Sequence, residues 1–304
     1  MFSTHQFRKF QFLGHKDCVY TLAEGPESGT FFSAGGDGMV VLWDIQNPEF
    51  GKPIVKVSGT VYCLFYLQKA NELLVASNRV GLHLIDLESK KEVWSFPTPE
   101  NQWFRMVKVN GKIWVSGSAG KLMIFDFQTR LVETLEFGNH DLRALDVSEN
   151  KTKLALGNSN GDIFILNLVS GEKSSMLKAH QTTVFGLQFY PGSNHLASCG
   201  KDARLKLWIE KENGAYEISK EVPAHLFAIH DVELHPSNPY LATASTDKTI
   251  KIWNAETLKL LLVLDKSRHA GHGHSINQLL WLKESELLLS CSDDRTISAW
   301  DIFV

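Results

Sequence analysis

Apolar and polar residues alternate along almost the whole chain. In "FFSAGGDGMVVLWDI" (Phe31–Ile45), "HLASCGKDARLKLWIE" (His195–Glu210), "YLATASTDKTIKIWNA" (Tyr240–Ala255) and "LLLSCSDDRTISAWDI" (Leu287–Ile302), two short apolar runs flank a polar turn. A period of two marks strands with one buried face, whereas long 3.6-residue periods are absent, so almost no helix is expected. Each of these segments closes on a tryptophan: Trp43, Trp208, Trp253 and Trp300. Between Trp43 and Trp208 the same slot is filled by Ile85, Phe125 and Leu166, within "LHLIDL", "LMIFDF" and "IFILNL". Successive slots lie 42, 40, 41, 42, 45 and 47 residues apart, a blade-sized repeat occurring seven times. An apolar pair spaced by three opens each unit: Val19/Leu22, Val61/Leu64, Phe104/Val107, Leu142/Leu145, Val184/Leu187, Ile229/Val232 and Ile276/Leu279.

Four units also begin alike, at Gly14-His15, Ala179-His180, Ala224-His225 and Gly271-His272, each with a tryptophan 28 residues after the histidine. Trp43-Asp44 and Trp300-Asp301 show the literal Trp-Asp pair. The chain therefore resembles the WD40-repeat family over nearly its whole length, although repeats two to four are degenerate. The resemblance implies an all-β, seven-bladed β-propeller of four-stranded antiparallel blades, in one domain spanning residues 1–304. "QFRKFQFL" (Gln6–Leu13) precedes the first Gly-His pair and is expected to supply the outer strand of the last blade, closing the ring and covering its edge.

In WD40 blades a His, a Ser/Thr, an Asp and the Trp share a buried hydrogen-bond network. Here the quartets are His15, Ser33, Asp37, Trp43; His180, Ser198, Asp202, Trp208; His225, Thr243, Asp247, Trp253; and His272, Ser290, Asp294, Trp300. An indole N–H only donates, a carboxylate only accepts, and a hydroxyl does both, so the four types suit a chain of bonds. His, Ser and Asp also suggest a hydrolase triad, but a trio recurring four times at matched positions reads as structural. Repeats two to four carry Val57, Glu100 and Gly138 at the His slot and Arg79, Ala119 and Asn160 at the Asp slot, and lack the network.

The resemblance further implies that the residue after the first apolar landmark faces the mouth of the central channel. These residues are Tyr20, Tyr62, Arg105, Arg143, Phe185, His230 and Asn277, with Lys16, Cys18, Thr60, Trp103, Asp141, Thr183 and Ser275 near the rim. Tyr, Phe, Trp and Arg are the types enriched in binding hot spots. Arg105 and Arg143, on adjacent blades, could grip a carboxylate or phosphate through forked bonds, or else pair with Glu100 and Asp141. Tyr20, Tyr62 and Phe185 could hold an apolar or cationic side chain.

Composition narrows the classes. Of 304 residues, 43% are hydrophobic and 21% charged, enough apolar surface for a large core and against wholesale disorder. A net charge of −3 argues against a dedicated nucleic-acid binder. Met1 to Gly14 holds no apolar run of signal-peptide length, and no stretch of 18 apolar residues suggests a membrane span. Cys18, Cys63, Cys199 and Cys291 form no C-x-x-C pair and fit reduced thiols in a cytoplasmic protein.

Weaker signals have bland readings. His269, His272 and His274 have a metal-like spacing, but His272 belongs to a quartet and the others to the longest inter-blade connection, so no metal is expected. "GSAGK" (Gly117–Lys121) echoes a phosphate loop but has Val115 and Leu122 where the pattern needs Gly and Ser/Thr. Trp94, Trp114 and Trp281 read as packing residues. The functional expectation is a non-enzymatic scaffold, monomeric alone and without cofactor, that binds a protein or peptide partner at the channel mouth and rim. The alternatives are a receptor for phosphorylated or acidic peptides through Arg105 and Arg143, and an enzyme with its site in the central channel. The predicted mouth, with no carboxylate and one histidine, argues against the enzyme.

Overall fold

The computed structural model describes residues 7–302. These fold into seven four-stranded antiparallel sheets, the blades of a seven-bladed β-propeller. Six blades are built in simple chain order: blade 1 over residues 19–56, blade 2 over 61–97, blade 3 over 103–136, blade 4 over 142–178, blade 5 over 184–223 and blade 6 over 229–264. Blade 7 takes three strands from residues 276–300. Its fourth is the strand Arg8–Leu13, which pairs antiparallel with Thr296–Trp300. The expected closing strand is therefore present; Gln6, where it was expected to begin, lies outside the described residues. The helix found among the described residues is one turn, Lys266–His269, in the connection from blade 6 to blade 7.

The chain divides into two compact units, Met1–Pro99 with Glu233–Val304, and Glu100–Val232. Within each, neighbouring blades bury the alternating apolar positions of their strands. In the first unit Phe12 packs edge-on against Phe31 and Trp43, at ring separations of 4.9 and 5.6 Å, in a core shared by blades 7 and 1. In the second, Leu142, Leu154 and Leu156 of blade 4 pack with Val109, Leu122 and Phe137 of blade 3 and its following connection.

The quartets lie inside this packing. His15 Nδ1 is 3.0 Å from Asp37 Oδ2, and Nε2 is 2.8 Å from Ser33 Oγ, which accepts the Trp43 indole N–H at 2.8 Å. The same chain runs through His180, Asp202, Ser198 and Trp208, and through His272, Asp294, Ser290 and Trp300. In blade 6, Thr243 Oγ1 accepts the Trp253 indole N–H at 2.9 Å, and His225 is buried. The indole can only donate, so the serine uses its proton on His Nε2 and leaves Nδ1–H for the carboxylate. Burial opposes charge on Asp294, yet the hydrogen bonds from His272, the Thr296 hydroxyl and Gly273 N–H outweigh it and hold the carboxyl well below its ordinary range. Asp202 and Asp37 are depressed in the same way, against burial, by His180 and by His15 with the backbone N–H groups of Lys16 and Met39.

Backbone register corrects two slots in the degenerate blades. Val57 N–H and Thr98 N–H bond back to Gly38 O and Val80 O, as Ala179 N–H bonds to Gly161 O. The histidine position that follows is thus occupied by Ser58 and Pro99 rather than Val57 and Glu100. Ser58 and Pro99 lie 27 and 26 residues before Ile85 and Phe125, against 28 in the four quartets, so the quartet spacing does not locate them.

Candidate functional site

The first strand of a blade carries a β-bulge at its start. Pairing with the second strand skips Tyr20 in blade 1, Tyr62 in blade 2, Phe104 in blade 3, Arg143 in blade 4, Phe185 in blade 5 and Asn277 in blade 7. A bulged residue has no opposite number in the ladder and its side chain is re-aimed. Five of the residues expected at the mouth thus share one backbone device. Blade 3 departs from the expectation by one position: Phe104 is the bulged residue. Trp103 takes the place of Val19, pairing with Gly117 as Val19 pairs with Gly35, and it is 0% exposed. Trp103 is a core residue with no surface to offer a partner. Arg105 falls one step along the strand, in the place of Thr21.

In the second unit this shift decides what the arginines do. Arg105 donates to Asp231 Oδ1 at 2.7 Å and to the carbonyl of His230 at 3.2 Å. Its partner is therefore Asp231, not Glu100, and a carboxylate stands beside a position where the sequence reading expected none. Asp141 accepts the backbone N–H of Ala119. The Arg143 guanidinium lies over the Phe104 ring, 3.9 Å from its centroid, and 5.5 Å from that of Phe185. Phe185 in turn leans on His230, with ring centroids 5.2 Å apart. Phe104, Arg143, Phe185 and His230 thus form a continuous aromatic and cationic run. The loop entering blade 6 adds Leu226 and Phe227, 82% and 61% exposed. Sequence reasoning missed this pair; the available signal was two large apolar residues after Ala224-His225, where the other quartet repeats carry Lys16-Asp17, Gln181-Thr182 and Gly273-His274.

In the first unit Tyr20 and Tyr62 stack on each other with centroids 4.5 Å apart. Burial, a hydrogen bond with Cys18 and the Asp293 charge push the Tyr20 hydroxyl up. Asn277 donates to Val19 O at 2.9 Å and to Asp293 Oδ1 at 2.8 Å, tying blade 7 to blade 1. Asp293 is a second carboxylate absent from the expected set. The four cysteines are free thiols.

The remaining motifs find ordinary places. His272 is held by its quartet, His269 packs edge-on against Phe7, and no group of three or more His, Cys, Asp or Glu able to hold a metal occurs among the described residues. "GSAGK" lies at the turn between the second and third strands of blade 3. Trp281 is buried against His235, and Trp94 stacks on Phe96 in the outer strand of blade 2. Among the described residues no helix is long and apolar enough to cross a membrane.

Comparison with known proteins follows the same lines. The WD domain, G-beta repeat family matches residues 7–44, 171–208, 217–254 and 265–301. These segments include the closing tryptophans of the four quartets. The chain belongs to the WD40-repeat family. Among curated relatives, WD repeat-containing protein 36 of Homo sapiens is 25% identical over 215 residues, covering 65% of this chain and 23% of that protein. The Striatin homolog of Dictyostelium discoideum is 24% identical over 206 residues, 64% of this chain and 21% of that protein. The meiotic recombination protein rec14 of Schizosaccharomyces pombe is 23% identical over 212 residues, covering 64% of this chain and 66% of that protein. The matched region thus spans about a fifth to two thirds of these relatives.

Proposed function

We propose that this chain is a non-enzymatic WD40 scaffold that binds a protein or peptide partner through the bulged ends of its first strands. The carrying observation is the run Phe104, Arg143, Phe185, His230, extended by exposed Leu226 and Phe227. Aromatic side chains bury much area at low conformational cost, and aromatic residues and arginine are the types enriched in binding hot spots. Tyr20 and Tyr62 are proposed as the corresponding aromatic contact of the first unit. Asn277 is kept as a peripheral contact.

An acidic or phosphorylated ligand gripped by two arginines at this face fits less well. Arg105 is already committed to Asp231, a pair whose carboxylate is nearly enclosed, so a ligand anion would have to displace that carboxylate. An enzyme in the channel is disfavoured for a related reason: Asp231 and Asp293 are engaged by Arg105 and Asn277, which favours their structural use.

Capture from native lysate tests the proposal. The Arg143→Glu chain is expected to recover the bound protein at about one tenth of the wild-type level, a loss of roughly 1.4 kcal/mol. Arg105→Glu, which disturbs an internal pair, is expected to lower thermal stability as well. Undiminished recovery by Arg143→Glu removes this face from the proposed site.

A further inference from the structure

The outer strand of a blade has a partner on one side only, and its far side presents unpaired backbone N–H and C=O groups. In blades 1, 2, 4, 5, 6 and 7 this strand is bulged, one residue being skipped in its pairing with the neighbouring strand. A bulge bends the strand and blunts the edge as a template for further pairing. Blade 3 is different. Its outer strand, Val132–Glu136, pairs residue for residue with Lys121–Phe125. It also contains neither lysine nor proline, the residues that most often guard an edge.

The regular ladder fixes which backbone groups face outward. Leu131 O accepts the Asp126 N–H at 3.0 Å, and the Phe137 N–H donates to Gly120 O at 2.8 Å. Leu131, Glu133, Leu135 and Phe137 therefore turn their backbone groups into the sheet. Val132, Thr134 and Glu136 turn theirs outward, at the two-residue spacing that another extended backbone matches. The side chains of Leu131, Glu133 and Leu135 share one face. Both leucines are exposed, at 67% and 40%. Glu133 is exposed too, and among the described residues it has no hydrogen bond or ion pair. A second copy paired antiparallel about Glu133 or Thr134 brings two Glu133 carboxylates opposite or diagonal to each other, which is unfavourable.

We propose that the outer edge of blade 3 accepts a fifth strand from a partner protein, an extended segment in which a lysine or arginine lies between two apolar residues at alternate positions. The backbone groups of Val132, Thr134 and Glu136 supply the ladder. Leu131 and Leu135 receive the apolar side chains, and Glu133 pairs with the cation between them. This edge does not use the bulged ends of the first strands, so either assignment can fail while the other stands.

The test uses the full chain and amide NMR at constant ionic strength. The probes are a capped Thr-Val-Thr-Lys-Thr-Val-Thr peptide, a counterpart with glutamate in place of its lysine, and a counterpart N-methylated along its backbone, which keeps the side chains and removes the donors. The lysine peptide is expected to shift the Val132, Thr134 and Glu136 amides saturably. Each counterpart is expected to bind at least about tenfold more weakly. The Glu133→Lys chain, altered at an exposed side chain, should reverse the preference and take the glutamate peptide over the lysine peptide. Thr134→Pro removes one outward N–H and no bond of the existing ladder, and should keep the remaining spectrum while losing at least about tenfold in affinity for the lysine peptide. The absence of a saturable shift, equal binding of the lysine and glutamate peptides, or undiminished binding of the N-methylated peptide would each overturn the proposal. So would concentration-dependent shifts of these amides in the chain alone, which would assign the edge to a second copy.

Discussion

Two polar side chains make opposite demands on the fold. Ser198 accepts the Trp208 indole N–H and donates to His180, all within a fully enclosed setting. Ser198→Ala deletes the shared oxygen and orphans both partners, and is expected to cost about 1–3 kcal/mol. Denaturant unfolding measures this, and a loss within a few tenths of a kcal/mol would count against the network as a fastener. Asp146 is the converse. Burial pushes its carboxyl up to about 7, although the Phe189 N–H donates to Oδ2 at 2.6 Å. The folded chain then holds a proton that the unfolded chain releases near pH 4, so this group's contribution to stability falls as pH rises from about 4 to 7. Asp146→Asn keeps an acceptor for Phe189 and removes the ionisation. Its stability relative to wild type is expected to be more favourable at pH 8 than at pH 4.5, and the same difference at both values would contradict the assignment.

Blades differ in how their turns are secured. Blades 1, 5 and 7 have complete quartets, while blade 4, with Gly138 and Asn160 in the His and Asp slots, builds a substitute. Asn158 Oδ1 accepts the N–H groups of Asn160 and Asp162. Asp162 accepts from both asparagine amides and pairs with Lys178. Gly161 makes this turn possible: it sits at φ +88°, and a Cβ there would lie 2.1 Å from His180 O. Blade 2 relies on the Ser77 hydroxyl bonding to Ser58 O, and blade 3 on Ser118 and Asp141 accepting backbone N–H groups. Amide exchange in the inner strands is therefore expected to be fastest in blades 2 and 3, slowest in blades 1, 5 and 7, and intermediate in blade 4. Uniform protection across the seven blades would show that packing, rather than the polar turns, sets local stability. The substitute network was not legible in the sequence because Asn158 and Asp162 lie outside the quartet spacing. The blade 3 register was misread for a different reason. Trp103 and Phe104 are both apolar, so either satisfies the first landmark, and only the bulge shows which one is buried.

For the molecule as a whole, the repeat arithmetic carried most of the architecture. Seven slots spaced by 40–47 residues became seven blades, and the alternating Phe10 and Phe12 marked the strand that completes the last one. The candidate site was legible in part. Tyr20, Tyr62, Arg143, Phe185 and Asn277, picked out by their place after the first apolar landmark, share a bulge that the sequence does not announce, whereas Asp231, Leu226 and Phe227 owe their place to pairing and loop exposure that no single-repeat pattern encodes. Sequence spacing describes a blade well, but it says little about which side chain of the next blade will answer it. The central claim is that the bulged ends of the first strands form the partner-binding face. Hydrogen–deuterium exchange on the chain bound to its captured partner tests this most directly. The account predicts slowed exchange at residues 103–105, 142–144, 184–186 and 226–230 relative to the free chain. Unchanged exchange in all four segments, with protection confined to the outer strands of the blades, would contradict it.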